Sequence, residues 1–208
     1  VWLSTLAPGL IHHDDLDDFE SAQSGYYMVS GFGYPSLLNH IQSSISDIAQ
    51  YGGADYFCVI LDAEEESVQS RKDEIEQIVS VMTLPKNVTV VAIVQNRCIE
   101  TVLLGNRSKI PRVDLPEPLK SYMDYYNVIT NDPALMGSYT KGDNHAHFHG
   151  KYMKQAFKQK KIKYSKSNCR DVATRNYLQG LLNRIETTDH LVDFKEFIDL
   201  MEVVQTQI

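Results

Sequence analysis

Residues 56–61 form an apolar, β-prone run, and four acidic residues follow it within five positions. A run of this length and composition is typical of a buried strand that leaves the core where the acids begin. Ligands of open α/β sheets bind at the carboxyl ends of the strands. Asp62 and Glu64, spaced by one residue at such an end, are therefore candidate ligands for a hard divalent cation.

The first half of the chain alternates between strand and helix patterns. Short turns separate a strand at 25–31, a helix from about 35 to 51, a strand at 55–62, a helix at 67–82 and a strand at 88–94. The last run is continuously apolar and β-branched, which is typical of an interior parallel strand. The order β-α-β-α-β predicts a parallel α/β sheet with right-handed crossovers.

The second half shows only helical patterns, with a proline-rich connector at 110–118 before it. We therefore predict an α/β core over residues 1–112 and a helical C-terminal region over residues 113–208. The predicted helices of that region cover residues 117–126, 146–159, 168–184 and 190–205.

Charge is distributed unevenly along this acidic chain. The net charge is −7, yet residues 141–175 hold ten Lys/Arg against two acidic residues. Lysines alternate there with aromatic residues, which supplies both phosphate-neutralising charge and stacking faces. The pattern indicates nucleic-acid binding, and the alternative is a solvated helix face. The candidate contacts are Lys154, Lys158, Lys160, Lys161, Lys163, Lys166 and Arg170.

Cysteine usage and hydropathy bear on the compartment. Three widely spaced cysteines, Cys58, Cys98 and Cys169, favour a reducing compartment over a disulfide scaffold, so we predict a cytoplasmic protein. No run is long and apolar enough for a transmembrane helix, and the N-terminus lacks the pattern of a signal peptide. We expect no membrane partner.

Glu100 is the third acidic candidate. It lies one turn into the helix predicted after the strand at 88–94, among apolar neighbours. A carboxylate in such surroundings is costly unless a cation or a base accompanies it. The alternative is a salt bridge to Arg97 or Arg107. For Asp62 and Glu64, spacing alone also fits a solvated loop whose charge matches the following helix N-terminus.

Two histidine-containing stretches permit weaker predictions. If residues 145–149 are helical, His145 and His149 share a face as zinc ligands can, but no glutamate lies between them and no third ligand follows. Structural histidines, or a general base near phosphates, are the alternatives to a metal role. Residues 12–20 read as an exposed acidic loop or as a second metal-binding cluster. The chain has no GxSxG, GxGxxG or P-loop motif.

Three stretches together resemble the Toprim (topoisomerase–primase) superfamily, and in particular the small Toprim-like proteins of bacterial defence and mobile loci. Residues 56–64 are similar to the strand that ends in the family's Asp-x-Asp pair. Residues 97–106 resemble the helix after the third strand, which holds an acid before a bulky apolar run. Residues 164–166, 168–184 and 191–197 are similar to the helical C-terminal tail.

The resemblance implies a Rossmann-like Toprim core and Mg²⁺-dependent (or Mn²⁺-dependent) phosphodiester cleavage in anti-phage defence. Carried over, Asp62 and Glu64 are the metal ligands and Glu100 is a supporting catalytic acid. The implied partners are nucleic acid, DNA or RNA, and an ATPase or another subunit of a defence complex. Whether the protein forms a homo-oligomer stays open.

Two departures from the family favour a competing hypothesis. The second acid is Glu64 rather than aspartate, and the family's first strand, with its Glu-Gly turn, has no counterpart after Val1. That strand lies upstream if the chain is a fragment. If the chain is complete, the site lacks its general acid/base, and the protein is a non-catalytic binding or regulatory subunit of a defence complex. A receiver-like or phosphatase-like domain with Asp62 as acceptor ranks lower.

Overall fold

The computed structural model describes residues 1–208 and is an α/β protein with two small parallel sheets. The strands are β1 (His12–His13), β2 (Tyr26–Tyr27), β3 (Tyr56–Asp62) and β4 (Thr89–Gln95). The helices are α1 (Trp2–Leu6), α2 (Leu16–Ser21), α3 (Ser36–Tyr51), α4 (Val68–Ser80), α5 (Ile99–Leu104), α6 (Leu119–Tyr125), α7 (His145–Gln159), α8 (Arg175–Thr187) and α9 (Val192–Gln205). Two 3₁₀ turns span Arg107–Lys109 and Pro133–Leu135.

The strands β3 and β4 pair in parallel over their full length, from Tyr56 opposite Thr89 to Asp62 opposite Gln95. The helix α4 connects them, as the alternating pattern predicts. The side chain of Ser67 caps that helix by accepting a hydrogen bond from the Ser70 amide. The prediction of two parallel strands with a helical crossover at these positions is therefore confirmed.

Helices cover both faces of the β3–β4 sheet. On one face, buried residues of α3 and α4, including Ile41, Ile45 and Ile75, pack against Val59 and Leu61. On the other face, Leu200 and Met201 of α9 pack against Ile93. Because successive strand residues point to opposite faces, a strand covered on both sides needs an apolar run without alternation. This arrangement explains the composition of β4.

The strand predicted at 25–31 does not join this sheet. Only Tyr26 and Tyr27 are extended in the β sense, and they pair with His12 and His13 in a separate two-stranded sheet. The residues beyond them stay exposed, with Met28 60% and Val29 51% accessible. The sequence predicts one three-stranded sheet, and the structure has two separate two-stranded sheets instead. A two-residue strand offers too little apolar surface to occupy a buried position.

The helical half surrounds the largest core of the molecule, which holds 19 buried residues. Residues Val102–Leu104 of α5 lie in this core together with Phe148, Tyr152 and Leu181. The helix α9 also contacts β4, so packing crosses the predicted boundary near residue 112. The division into two domains stays a prediction.

Three of the four predicted C-terminal helices agree with the structure to within three residues at each end, and the fourth does not. Helix α8 begins at Arg175 rather than at 168, because residues 170–174 form turns and a bend, which follow a tight turn at 165–168. In that turn the Ser165 amide donates to the Asn168 carbonyl and the Asn168 amide donates back, at 2.9 and 3.0 Å. None of the helices combines the length and apolar character that crossing a bilayer requires.

Candidate metal and nucleic-acid site

The predicted acidic residues lie at the carboxyl ends of β3 and β4. Asp62 is the last residue of β3 and is half-buried. Beyond it the pairing continues, because the Ala63 amide donates to the Gln95 carbonyl and the Glu64 amide donates to the Arg97 carbonyl, at 2.9 and 2.8 Å. The acidic loop is thereby held against the end of β4.

Glu100 lies in the first turn of α5, immediately after β4. It is close enough to Asp62 for its charge to raise the pKa of that residue. The side chain of Glu100 forms no ion pair with Arg97 or Arg107, the partners that the alternative interpretation offered. It instead accepts a hydrogen bond from the Tyr164 hydroxyl at 3.3 Å.

Asp62 is the carboxylate whose surroundings alter its chemistry most. Burial, followed by the negative charge of Glu100, raises the pKa of Asp62 to about 7. The Lys166 ammonium opposes this rise, and Glu64 adds a smaller repulsion. A carboxyl that titrates near neutrality, between two other acids and a lysine, is typical of functional sites.

Glu64 lies in different surroundings from Asp62, the residue with which it is predicted to bind the metal. It is exposed and has a positive φ of 54°, a conformation that a non-glycine residue rarely adopts. The guanidinium of Arg97 holds this loop through its backbone, donating to the carbonyls of Glu64 and Glu66 at 3.2 and 2.8 Å. The carboxylate of Glu64 is therefore free to turn toward a ligand while the backbone beneath it stays fixed.

The basic segment meets the acidic edge at Lys166. This residue lies at the tip of the 165–168 turn, and its charge lowers the pKa of Asp62. All seven predicted contacts are exposed, and none of their side chains forms an ion pair. The structure thus joins two features that are about a hundred residues apart in sequence, the acids after β3 and the lysines after α7.

The histidines predicted as alternative ligands have separate partners. The His145 ring pairs with Glu65 at 2.6 Å, and the His145 amide donates to the same carboxylate. These contacts lower the pKa of Glu65 although slight burial acts in the opposite direction. His149 is fully buried and lies between Thr101 and Met136, at 2.7 and 2.9 Å. His145 and His149 therefore do not converge on one point.

The donor set at the sheet edge can be compared with what a metal requires. No three His, Cys, Asp or Glu side chains are grouped closely enough to hold an ion by themselves. Mg²⁺ commonly takes only one or two protein carboxylates and completes its shell with water and substrate phosphates. Asp62 and Glu100 are two hard oxygen donors whose mutual repulsion a divalent cation would relieve. The residues present fit Mg²⁺ or Mn²⁺ held in this way.

Sequence inspection missed two residues that organise the site. Tyr164 connects the basic segment to Glu100. Thr101 accepts hydrogen bonds from the Arg97 and Cys98 amides and contacts His149, which fixes the start of α5. Thr101 is the third helical residue after Cys98 and completes a capping box, but cysteine and threonine are not the residue types that mark this motif in a sequence. Nothing local marks Tyr164, because its partner is 64 residues away.

Comparisons with protein-family models, with curated proteins and with solved structures return no match. The resemblance to the Toprim superfamily therefore stays a prediction that rests on the residues themselves.

Proposed function

We propose that this protein is a Mg²⁺-dependent nuclease of the Toprim type that cleaves phosphodiester bonds in nucleic acid, with a role in anti-phage defence. The observation that supports the proposal is the meeting of Asp62, Glu100 and Lys166 at one edge of a parallel sheet. Phosphodiester hydrolysis needs two carboxylates that can bind a metal ion. It also needs a positively charged side chain beside them that can bind the phosphate.

In the proposed site, Asp62 and Glu100 would hold the metal, and the exposed carboxylate of Glu64, two residues after Asp62, would contribute a further oxygen. When bound, the metal would stabilise negative charge that develops on the phosphate oxygens. Lys166 would pair with a phosphate oxygen of the same strand. The Toprim core, the cytoplasmic location and the defence-complex partners are parts of the same proposal.

Hydrolysis of the phosphodiester requires one proton to be removed and one to be supplied. Water attacks phosphorus and its proton passes to solvent, one P–O bond breaks, and the leaving oxygen takes up a proton from solvent. Glu100, which borders Asp62 and is oriented by Tyr164, would hold the metal beside the reacting phosphate. In this scheme Tyr164 is a positioning residue, since it acts through Glu100.

The deciding experiment compares the wild-type protein with Asp62→Asn, which keeps the shape of the side chain and removes its charge. We expect metal-dependent cleavage of DNA or RNA by the wild-type protein and at least a hundredfold loss in the variant, with an unchanged circular dichroism spectrum. Asp47→Asn, on the exposed face of α3, is the matched control and should cleave normally. Equal cleavage by Asp62→Asn and wild type would refute the proposal.

The second candidate is a non-catalytic module that binds nucleic acid within a defence complex. Seven exposed cations without ion pairs favour it, because they bind phosphates whether or not chemistry follows. Calorimetric titration with Mg²⁺ separates the two candidates. Binding that disappears in Asp62→Asn supports the nuclease, and nucleic-acid binding without any Asp62-dependent metal binding or cleavage supports the module.

A further inference from the structure

A cleft beside the candidate site combines an apolar floor with a cationic rim. It has a volume of about 370 Å³ and is lined by Lys154, Phe157, Lys158, Ile162, Lys163 and Tyr164. This volume lies within the range of small-molecule sites, roughly 300–1,000 Å³. The cleft is separate from the acidic edge, but Tyr164 belongs to both.

The chain builds this cleft by reversing direction after α7. Lys161 adopts a left-handed conformation with φ 56°, and the Ile162 amide donates to the Phe157 carbonyl at 3.0 Å. The Lys161 amide donates to the Lys158 carbonyl at 3.3 Å, which completes the hydrogen-bond pattern of a Schellman ending. Residues 162–164 consequently run back beside the last turns of the helix.

The two kinds of lining residue call for a ligand with both an apolar body and negative charge. Phe157 is buried and packs edge-on against Tyr164, with ring centroids 6.4 Å apart, while Ile162 is half-buried beside them. Lys154, Lys158 and Lys163 are exposed and their ammonium groups form no ion pair, although the Lys163 amide donates to the Asp171 carboxylate at 2.7 Å. A nucleotide has this composition, because its flat base can stack on the partly exposed ring of Tyr164 and its phosphate can pair with lysine.

The cleft also lies on the path that leads to the candidate metal site. Tyr164 contacts Glu100, and Lys166, two residues further along, acts on Asp62. Two extended residues span about 7 Å, so the cleft and the acidic edge are near neighbours. A strand whose phosphate lies at Asp62 would therefore place a neighbouring nucleotide at the cleft.

We propose that this cleft receives one unpaired base of a single-stranded nucleic acid, with its lysines on the adjacent phosphates. A base within a duplex is stacked and paired, and extruding it is energetically unfavourable. The preferred substrate is thus a single strand rather than a duplex. The assignment of this strand as a substrate rests on the proposed function, whereas the base-binding cleft can be tested without it.

The experiment measures binding by fluorescence anisotropy in EDTA, so that no cleavage occurs. The probes are a short oligothymidylate, a duplex of the same length and an abasic strand of the same length. We expect the single strand to bind about tenfold more tightly than either the duplex or the abasic strand, in keeping with the contribution of base stacking. Equal affinity for the thymidylate and abasic strands would overturn the proposal.

Variants assign that preference to the cleft. Lys158→Ala combined with Lys163→Ala should weaken single-strand binding at least tenfold and reduce the salt-dependence slope by about 1.4, as expected when two phosphate contacts are lost. Ile162→Ala, with its smaller apolar wall, should reduce the preference for thymidylate over the abasic strand while keeping the slope. Lys86→Ala, before β4 at the opposite end of the sheet, should behave as wild type.

The outcomes separate this inference from the proposed function. If the cleft variants bind like wild type, or if Lys86→Ala loses as much affinity as they do, the cleft is not the binding site and the inference fails. If the base-dependent preference is present but Asp62→Asn and wild type cleave equally, only the proposed function fails. Thermal melting of each variant verifies the fold, and the abasic comparison uses the wild-type protein alone.

Discussion

The Tyr164 hydroxyl donates a hydrogen bond to the Glu100 carboxylate at 3.3 Å, and this contact joins the basic segment to the acidic edge of the sheet. The Lys166 ammonium acts on Asp62 two residues further along. A short stretch of chain between α7 and α8 therefore acts on both carboxylates of the candidate site, on Glu100 through a hydrogen bond and on Asp62 through charge.

Removing the hydroxyl of Tyr164 should impair the positioning of Glu100 but leave the binding of single-stranded nucleic acid unchanged. Tyr164→Phe keeps the ring in the cleft and deletes the hydrogen bond to Glu100, which should destabilise the protein by about 1 kcal/mol. We expect metal-dependent cleavage to fall at least tenfold while single-strand affinity stays within about twofold. Urea unfolding, cleavage assays and anisotropy measure the three quantities.

The control for this change is Tyr125→Phe, whose hydroxyl donates to the Ser138 carbonyl at 2.7 Å in a different part of the helical region. It removes a hydrogen bond of the same kind and should leave cleavage unchanged. A Tyr164→Phe protein that cleaves as fast as wild type would show that Glu100 needs no positioning from this residue.

The pKa of Asp62 should respond in opposite directions to its two charged neighbours. Burial and Glu100 raise this pKa to about 7, whereas Lys166 lowers it. In metal-free protein, Glu100→Gln should move the pKa of Asp62 below about 7, and Lys166→Gln should move it above. Carboxyl-carbon NMR titration measures both. Lys86→Gln is the matched control and should not shift it, and a shift of the same sign in both test variants would contradict the arrangement.

The paired strands and most helices could be predicted from the sequence because their signals are local. The β-branched run of β4 and the glycine after α3 identify those elements without reference to the rest of the chain. Asp62 and Glu100 could be selected because each ends or follows a strand. Their nearness to each other follows from the parallel pairing of β3 with β4.

Other features depend on contacts that no local pattern encodes. Turns replace the first residues of the helix predicted at 168–184, and the turn at 165–168 before them places the charge of Lys166 near Asp62 across about a hundred residues of sequence. The strand expected at 25–31 pairs instead with His12 and His13, a choice that hydrophobic pattern alone does not determine. Long-range pairing of this kind is decided by packing rather than by propensity.

Acidification should remove the contribution that the neutral ring of His149 makes to stability. Its Nε2–H donates to the Met136 carbonyl, so Nδ1 accepts from the Thr101 hydroxyl and the ring is neutral. Burial lowers the pKa of His149 from 6.5 to about 4, so between these values the unfolded chain binds more protons than the folded one. Stability contributed by the neutral ring is present above pH 6.5 and should fall by about 3 kcal/mol as the pH drops to about 4.

Urea unfolding at several pH values tests this contribution. His149→Gln can donate to Met136 and accept from Thr101 without titrating, so between pH 6.5 and 4 the wild-type protein should lose about 3 kcal/mol relative to this variant, while the opposite contribution of Asp62 is common to both. His147→Gln, an exposed change on the same helix, should retain the wild-type dependence. If His149→Gln and wild type lose stability in parallel, another group is responsible.

Arg184 should be the most sensitive cation for stability, although it lies outside the candidate site. It is 1% exposed and donates to three backbone carbonyls, those of Gly105, Val128 and Asn131, at 3.1, 2.8 and 2.6 Å. Arg184→Met fills a similar volume but leaves these carbonyls without hydrogen-bond donors. Each unsatisfied group should lower the free energy of unfolding by about 1–3 kcal/mol. We expect a loss of at least about 3 kcal/mol in urea unfolding. Arg175→Met, exposed on the same helix, should change stability by less than about 0.5 kcal/mol, and similar losses in the two variants would mean that the buried network contributes nothing specific.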